Sequence, residues 1–174
     1  GGIYPRSLKS IETTPEMKSV LGIKADKVTP GDLIRAMLMA RVDLLWFGGI
    51  GTYVKATHES HGEAGDRAND ALRVNGKELK ASVIGEGANL GLTQAGRIEY
   101  ALAGGRINTD AIDNSAGVDC SDHEVNIKVL LGGVVTEGDM ARKQRDKLLE
   151  EMTDEVATLV LKDNYDQSQA LTMA

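Results

Sequence analysis

Apolar residues occur along the chain in short unbroken runs and in stripes with helical spacing, and the two patterns alternate. Val42–Phe47 is an almost continuous apolar run closed by the glycine-rich segment 48–51, which is typical of a buried parallel strand. Ala81–Ile84 has the same character, and Arg106–Thr109 predicts a third, shorter strand. The repeated order of strand, glycine turn and helix predicts an α/β fold built on a parallel sheet.

Threonine and proline mark the predicted helix starts. Thr14-Pro15 and Thr29-Pro30 each place an N-cap residue before a proline at the first helical position. Thr93 predicts a further start, and the helix that follows it ends at the glycine pair 104–105. With these helices around the strands, we predict a partial Rossmann-like parallel sheet flanked by helices.

The segment between the first two predicted strands contains a surface insertion, residues 55–70. Residues 55–70 are polar and include His58 and His61, so we expect solvated surface there rather than a metal site. Asn75-Gly76 is the strongest short hairpin signal in the chain.

The last third of the chain predicts helix almost throughout. One helix runs from about Ser115 to Leu131 and is broken by the glycine pair 132–133. Thr136 then caps a charged helical region over residues 137–163, with an interruption at Thr153. We therefore divide the chain into residues 1–135 and a helical extension, residues 136–174.

Charge and composition exclude several function classes. The net charge of −6 argues against nucleic acid as a partner, because phosphate binding needs a basic face. No apolar run approaches membrane-spanning length, so we expect no membrane association. The single Cys120 fits a reducing compartment, which predicts a cytoplasmic protein, and we expect it to be a small buried residue. The chain begins without methionine, and we interpret it as a fragment.

The turn over residues 85–91 is the first candidate binding site. The lack of a Cβ at Gly87 lets a sugar or phosphate approach the backbone, and Asn89 offers both a donor and an acceptor. Leu90 stands where the dinucleotide-binding fingerprint has its third glycine, so the pattern alone fits a plain strand-to-helix turn equally well. The glycine-rich segment 48–51, at the end of another predicted strand, could admit a ligand in the same way. We expect Trp46 and Phe47, which precede it, to lie in the core.

Residues 113–124 form the densest polar cluster. The small residues 115–117 would let a ligand reach a helix N-terminus, where free N–H groups favour anions. Asp119 and His123 are four residues apart and would share a helix face. Two ligands of mixed type are too few for a metal site, so we predict none.

Four segments together resemble the large NAD-specific glutamate dehydrogenases of bacteria: DLLWFGGIGTYVKA, GDRANDALRVNGKEL, VIGEGANLGLTQAGRIEYA and GGRINTDAIDNSAGVDCSDHEVNIKVLL. The similarity runs over essentially the whole chain. It implies the oxidative deamination of L-glutamate to 2-oxoglutarate and ammonia, with NAD as hydride acceptor, in a homo-oligomer. Residues 1–135 would then be the C-terminal part of the NAD-binding domain.

The resemblance also implies roles for individual residues. Cofactor contacts are implied for three turns, namely Gly48 and Gly49, then Gly87, Ala88 and Asn89, and finally Asn114. Contacts to the glutamate side chain are implied for Val118 and Ser121. We expect the loops around Asn89 and Asn114 to line one cleft.

The catalytic lysine and aspartate of the family belong to a preceding domain, so no catalytic residue is expected in this chain and we predict that it is inactive alone. Two other functions fit the residues as well. One is a dehydrogenase for another amino acid, such as leucine or phenylalanine, with the same fold and an apolar side-chain pocket. The other is a non-catalytic nucleotide-sensing module, which suits a chain without acid–base groups.

Overall fold

Strands and helices alternate in the computed structural model, which describes residues 2–174. Within these residues the strands are β1 (Ile11–Glu12), β2 (Lys27–Val28), β3 (Leu44–Phe47), β4 (Val54–Lys55), β5 (Val74–Asn75), β6 (Val83–Glu86) and β7 (Arg106–Ile107). The α-helices are α1 (Pro15–Leu21), α2 (Pro30–Leu38), α3 (His61–Ala64), α4 (Gln94–Leu102), α5 (Asp110–Asp113), α6 (Ser115–Glu137), α7 (Arg142–Glu151) and α8 (Thr153–Met173). Two short 3-10 helices cover Arg67–Asn69 and Gly76–Glu78.

Threonine side chains begin the first helices as predicted. Oγ1 of Thr14 accepts from the backbone N–H of Met17 at 3.2 Å, and Oγ1 of Thr29 accepts from that of Asp32 at 3.1 Å. Thr93 begins α4 in the same way. Each bond satisfies a backbone donor that the helix itself leaves without a partner, which is why a local signal sufficed.

The central sheet is parallel, in the order β3-β6-β7, which confirms the α/β prediction. One of its faces is covered, because Phe47 and Ile84 are buried against residues of α2 and α4. The opposite face carries Leu44 and Trp46, which are both more than half exposed. Phe47 is therefore in the core as expected, but the same expectation for Trp46 is wrong.

The core of the first compact unit, which ends at Asp110, lies between this sheet and its helices. Its buried residues are Leu38, Phe47, Val54, Val74, Leu79, Ala81, Ile84, Leu92 and Tyr100. The hydroxyl of Tyr100 donates to the carbonyl of Ala81 at 2.7 Å, which satisfies the one polar group of this ring.

The hairpin predicted at Asn75-Gly76 does not form. β4 and β5 pair in parallel, and Gly76 begins a 3-10 helix instead of a turn. A Cβ on Gly76 would lie 2.4 Å from the carbonyl oxygen of Gly96 in α4, so this glycine serves a close backbone approach. The surface prediction for residues 55–70 is also wrong in part, because Lys55 and Asn69 are buried.

The second compact unit runs from Ala111 to Ala174 and is helical. α6 continues through the glycine pair 132–133, so the predicted break and the predicted cap at Thr136 are wrong. The hydroxyl of Thr136 donates to the carbonyl of Gly132 at 2.9 Å, a bond made inside a helix. α6 ends at Gly138, whose φ of 88° is left-handed, and the predicted interruption at Thr153 is confirmed by the start of α8. No helix among the described residues is long and apolar enough to cross a membrane.

Candidate functional site

Two of the glycine turns meet at the carboxyl edge of the parallel sheet. The carbonyl of Phe47, the last residue of β3, accepts from the N–H groups of Gly87 at 2.9 Å and Ala88 at 3.2 Å. The turn after β6 is thus bonded to the end of β3, immediately before Gly48 and Gly49. Ligands bind at this edge in open parallel sheets, so the fold brings five of the predicted site residues, the pair 48–49 and the segment 87–89, to one place.

A buried carboxylate organises the turn after β6. Glu86 is fully buried, and its Oε1 accepts from the N–H groups of Gly91 at 2.8 Å and Leu92 at 3.3 Å. Its Oε2 accepts from Nη1 of Arg97 in α4. The carboxylate therefore joins the two ends of the turn and ties both to the following helix.

Arg97 extends this network to the end of the first unit. Its Nη1 also donates to the carbonyl of Asn108 at 2.9 Å, and its Nη2 lies 3.7 Å from Oδ1 of Asp110, a charge contact without a hydrogen bond. Oδ2 of Asp110 in turn accepts from the N–H of Leu90 at 2.9 Å. Three buried charged groups, Glu86, Arg97 and Asp110, thus fix the turn that carries Asn89.

Leu90 has a left-handed backbone, with φ of 62°, and is the one described residue other than glycine with positive φ. This conformation costs a residue with a Cβ about 1–2 kcal/mol. The neighbouring groups hold it in place, because the carbonyl of Leu90 accepts from Oγ1 of Thr52 at 2.8 Å and its N–H donates to Asp110. The position where the dinucleotide fingerprint has glycine therefore has a glycine-like backbone here.

Asp66 supports Thr52 from the other side. Its Oδ2 accepts from the N–H of Thr52 at 2.8 Å and from the side-chain amide of Asn69 at 2.6 Å. These donors, first the Asn69 amide and then the Thr52 N–H, lower the pKa of Asp66 below its ordinary value of 3.8. The ionised carboxylate is thus part of the support under the turn.

The backbone at Gly49 is open. A Cβ built on Gly49 meets no atom within 4 Å, whereas one on Gly87 would lie 2.5 Å from the indole of Trp46. Gly87 therefore allows Trp46 to pack across the strand end, while Gly49 leaves space for a ligand.

A cavity of about 300 Å³ lies next to Gly48 and Gly49. Its walls are mainly apolar and aromatic, and they consist of Ile34, Met37, Leu38, Leu45, Trp46, Phe47 and Tyr53, together with Arg6. The rings of Phe47 and Tyr53 are stacked, with centroids 6.1 Å apart. A slot of this size with aromatic walls suits a flat heterocycle.

The remaining predicted residues belong to the second unit. Asn114 immediately precedes α6, and Val118 and Ser121 lie in its first two turns and are exposed. The start of α6 is held within its own unit, because the side-chain amide of Asn164 in α8 donates to Oγ of Ser115 at 2.6 Å. The contact of these residues with a shared cleft stays a prediction.

Several residues around the site were not predicted. Arg97 and Asp110 position the turn, yet neither was predicted as a site residue from the sequence. A signal existed for Arg97, because it lies three residues before the buried Tyr100 on the inward face of α4, where an arginine needs a buried partner.

Cys120 is exposed, so the expectation of a buried residue is wrong. His58 and His61 are on the surface as expected.

Comparison with known proteins agrees with these features. The chain is 63% identical over 174 residues to the NAD-specific glutamate dehydrogenase of Halomonas elongata and 62% identical to that of Pseudomonas aeruginosa, in each case over all of this chain. It is 56% identical over 177 residues to the enzyme of that name in Mycobacterium tuberculosis, over 98% of this chain. The chain spans 11% of the length of each of these relatives. The sequence model of the bacterial NAD-glutamate dehydrogenase catalytic domain matches residues 1–174, and the chain belongs to that family.

Proposed function

We propose that the full-length protein catalyses the oxidative deamination of L-glutamate to 2-oxoglutarate and ammonia with NAD, and that this chain supplies cofactor-facing and substrate-facing turns. The observation that carries the proposal is the meeting of Gly48-Gly49 with the turn 87–89 at the carboxyl edge of the sheet. Membership of the bacterial NAD-glutamate dehydrogenase family supports NAD as the ligand proposed for that edge.

The residues at this edge fit NAD. The open backbone at Gly49 would lie beside the adenosine or its ribose, and the adjoining cavity with Phe47 and Tyr53 in its walls would take the adenine ring. Asn89 is exposed on a turn fixed by buried charges, so its carboxamide can bond the nicotinamide ribose without a large loss of conformational entropy. When bound, NAD supplies the hydride acceptor.

Residues at the start of α6 complete the site in this proposal. Asn114 makes a second cofactor contact, Val118 packs on the methylene groups of glutamate, and the hydroxyl of Ser121 donates to its side-chain carboxylate. A polar partner for that carboxylate favours glutamate over leucine, since a bound apolar side chain would leave the hydroxyl of Ser121 without a hydrogen-bond partner.

The chain positions ligands and leaves proton transfer to other parts of the protein. The family resemblance assigns that step to a lysine and an aspartate of a preceding domain, so we propose that this chain has no activity alone. Glutamate-dependent NADH formation by the purified chain would contradict this. We expect the full-length enzyme to be a homo-oligomer, which light scattering would measure.

Steady-state kinetics of the full-length enzyme test the proposal. Asn89→Ala and Asn114→Ala should each lower kcat/KM for NAD by about 5- to 150-fold, since a lost hydrogen bond to a ligand costs about 1–3 kcal/mol. Asn126→Ala is the matched control, because Asn126 is exposed on α6 and its side-chain amide donates to the carbonyl of Asp122 in the same helix. Unchanged kcat/KM in both test variants would refute the assigned contacts, and faster turnover of leucine than of glutamate would refute the substrate.

A further inference from the structure

Three potential metal ligands converge in the helical unit, on the stretch of α6 that also carries Val118 and Ser121. Asp119 and His123 lie on α6 and Asp163 lies on α8, and one ligand atom from each is within 4.8 Å of the others. We infer that these side chains form a binding site for one divalent transition-metal ion of the Zn²⁺ type. This inference is independent of the dehydrogenase proposal.

The two ligands on α6 already have the separation that a metal requires. They are one helical turn apart, and Nε2 of His123 lies 3.4 Å from Oδ1 of Asp119. Two ligands on a tetrahedral zinc with bonds of 2.0–2.1 Å are about 3.4 Å apart. The ligand oxygen of Asp163 lies within 4.8 Å of both.

Two atoms of the cluster have no other partner. Oδ2 of Asp119 and Nε2 of His123 are inaccessible to solvent, and neither makes a hydrogen bond within the described part of the chain. Buried polar atoms in proteins are almost always hydrogen-bonded or bound to an ion. A cation that binds Nε2 of His123 and both carboxylate oxygens of Asp119 would satisfy both atoms together.

The ligand set selects the class of metal. One imidazole and two carboxylates suit zinc and its first-row neighbours, whereas calcium and magnesium take oxygen ligands alone. Three protein ligands leave a fourth position for water. Cys120 is exposed on α6 next to Asp119, but it points about 100° around the helix from that residue and is not part of the cluster.

The helices that carry the ligands are already held together one turn away. Nδ2 of Asn164, next to Asp163, donates to Oγ of Ser115 at 2.6 Å and lies 3.4 Å from the carbonyl of Ile112. The ligands are thus preorganised by the fold of this unit, and an ion would link α6 to α8 directly. The sequence alone indicated only the pair on α6, because the third ligand comes from another helix.

Titration calorimetry with zinc on the metal-stripped chain tests the inference. We expect saturable binding of one zinc ion per chain and a rise in Tm on zinc addition. Asp119→Asn, His123→Gln and Asp163→Asn should each weaken binding at least tenfold and remove the rise in Tm. Asp122→Asn and Cys120→Ser, both at exposed positions of α6, are the matched controls and should bind as wild type. Far-UV circular dichroism checks that each variant keeps its helices.

Cobalt substitution gives a readout that folding does not affect. The Co²⁺-loaded chain should show visible bands of low-symmetry coordination without a thiolate charge-transfer band, and His123→Gln should lose them. The inference is overturned if zinc does not saturate at one ion per chain, if Asp163→Asn binds zinc as tightly as wild type, or if Cys120→Ser abolishes binding. Zinc binding by His123→Gln as tight as that of wild type would also overturn the inference. The ion would then bind at another site, and Asp119 and His123 would form only an ion pair.

Discussion

Replacing Arg97 with methionine removes the charge that links Glu86 to Asp110 while keeping a side chain of similar length. Glu86 is fully buried and Asp110 is 8% exposed, so neither carboxylate can gain enough water to compensate. Breaking a buried ion pair by removing one partner costs about 3–5 kcal/mol. We place Arg97→Met in this range, because the carbonyl of Asn108 also loses its bond from Nη1.

Urea unfolding monitored by tryptophan fluorescence measures this effect. The one tryptophan, Trp46, lies in β3, so its signal follows the first compact unit rather than the helical one. With m of about 1–2 kcal/mol/M, a loss of about 3–5 kcal/mol lowers the midpoint by about 1.5–5 M. Arg106→Met is the control, because Arg106 is exposed at the start of β7, and its stability should change by at most about 0.5 kcal/mol.

A double-variant cycle separates the charge from the lost packing. Glu86→Gln keeps an acceptor for the N–H of Gly91 but removes the buried charge, so adding it to Arg97→Met should recover part of the lost stability. A loss below about 1 kcal/mol in Arg97→Met would refute the claim that this network holds the turn.

Two further predictions concern the same turn. Leu90→Gly should stabilise the first unit by about 0.5–1 kcal/mol in the same urea assay. Glycine adopts the left-handed backbone without strain, and Leu90 is 61% exposed, so little packing is lost. A destabilised variant would show that Leu90 is not strained. Asp66→Asn should destabilise the unit at neutral pH, and its difference from wild type should shrink as the pH falls below 3.8. The sign of this change follows from the lowered pKa of Asp66, because its stabilising bonds to Thr52 and Asn69 are present above the ordinary pKa and are lost as the carboxylate is protonated. A stability difference that does not change with pH, over a urea series from pH 7 to about pH 3, would contradict this prediction.

Local signals explain why much of the fold could be predicted. A threonine before a proline needs only its own helix to form the cap, so the starts of α1 and α2 followed from two residues each. The apolar run that predicts the strand Leu44–Phe47 and the glycines that end it are also local signals. Because parallel strands end at one edge, the adjacency of the turns at Gly48 and Gly87 followed from the topology.

Contacts between distant segments explain the failures. Asn75-Gly76 has the chemistry of a hairpin turn, but parallel pairing with β4 and packing against Gly96 decide its conformation. The glycine pair 132–133 costs about 1 kcal/mol per residue in a helix, yet α6 continues through it, and its contact with α8 is a stabilisation that the local pattern does not reveal. Asp163 of the inferred metal site was not predicted for the same reason, because it lies on a different helix from Asp119 and His123.

The central claim is that the edge at Gly49 receives NAD, and Gly49→Val tests it most directly. The space around Gly49 is empty and its φ is not left-handed, so the substitution should leave stability unchanged while its side chain occupies the position of the ligand. Steric overlap of this kind costs about 1–3 kcal/mol, which corresponds to about a 5- to 150-fold rise in Kd. Gly62→Val, an equally unobstructed position whose Cβ would meet only Ser60 at 3.8 Å, is the control. In an NAD titration of the full-length enzyme, we predict weakened binding in Gly49→Val alone; wild-type affinity in that variant would contradict the account.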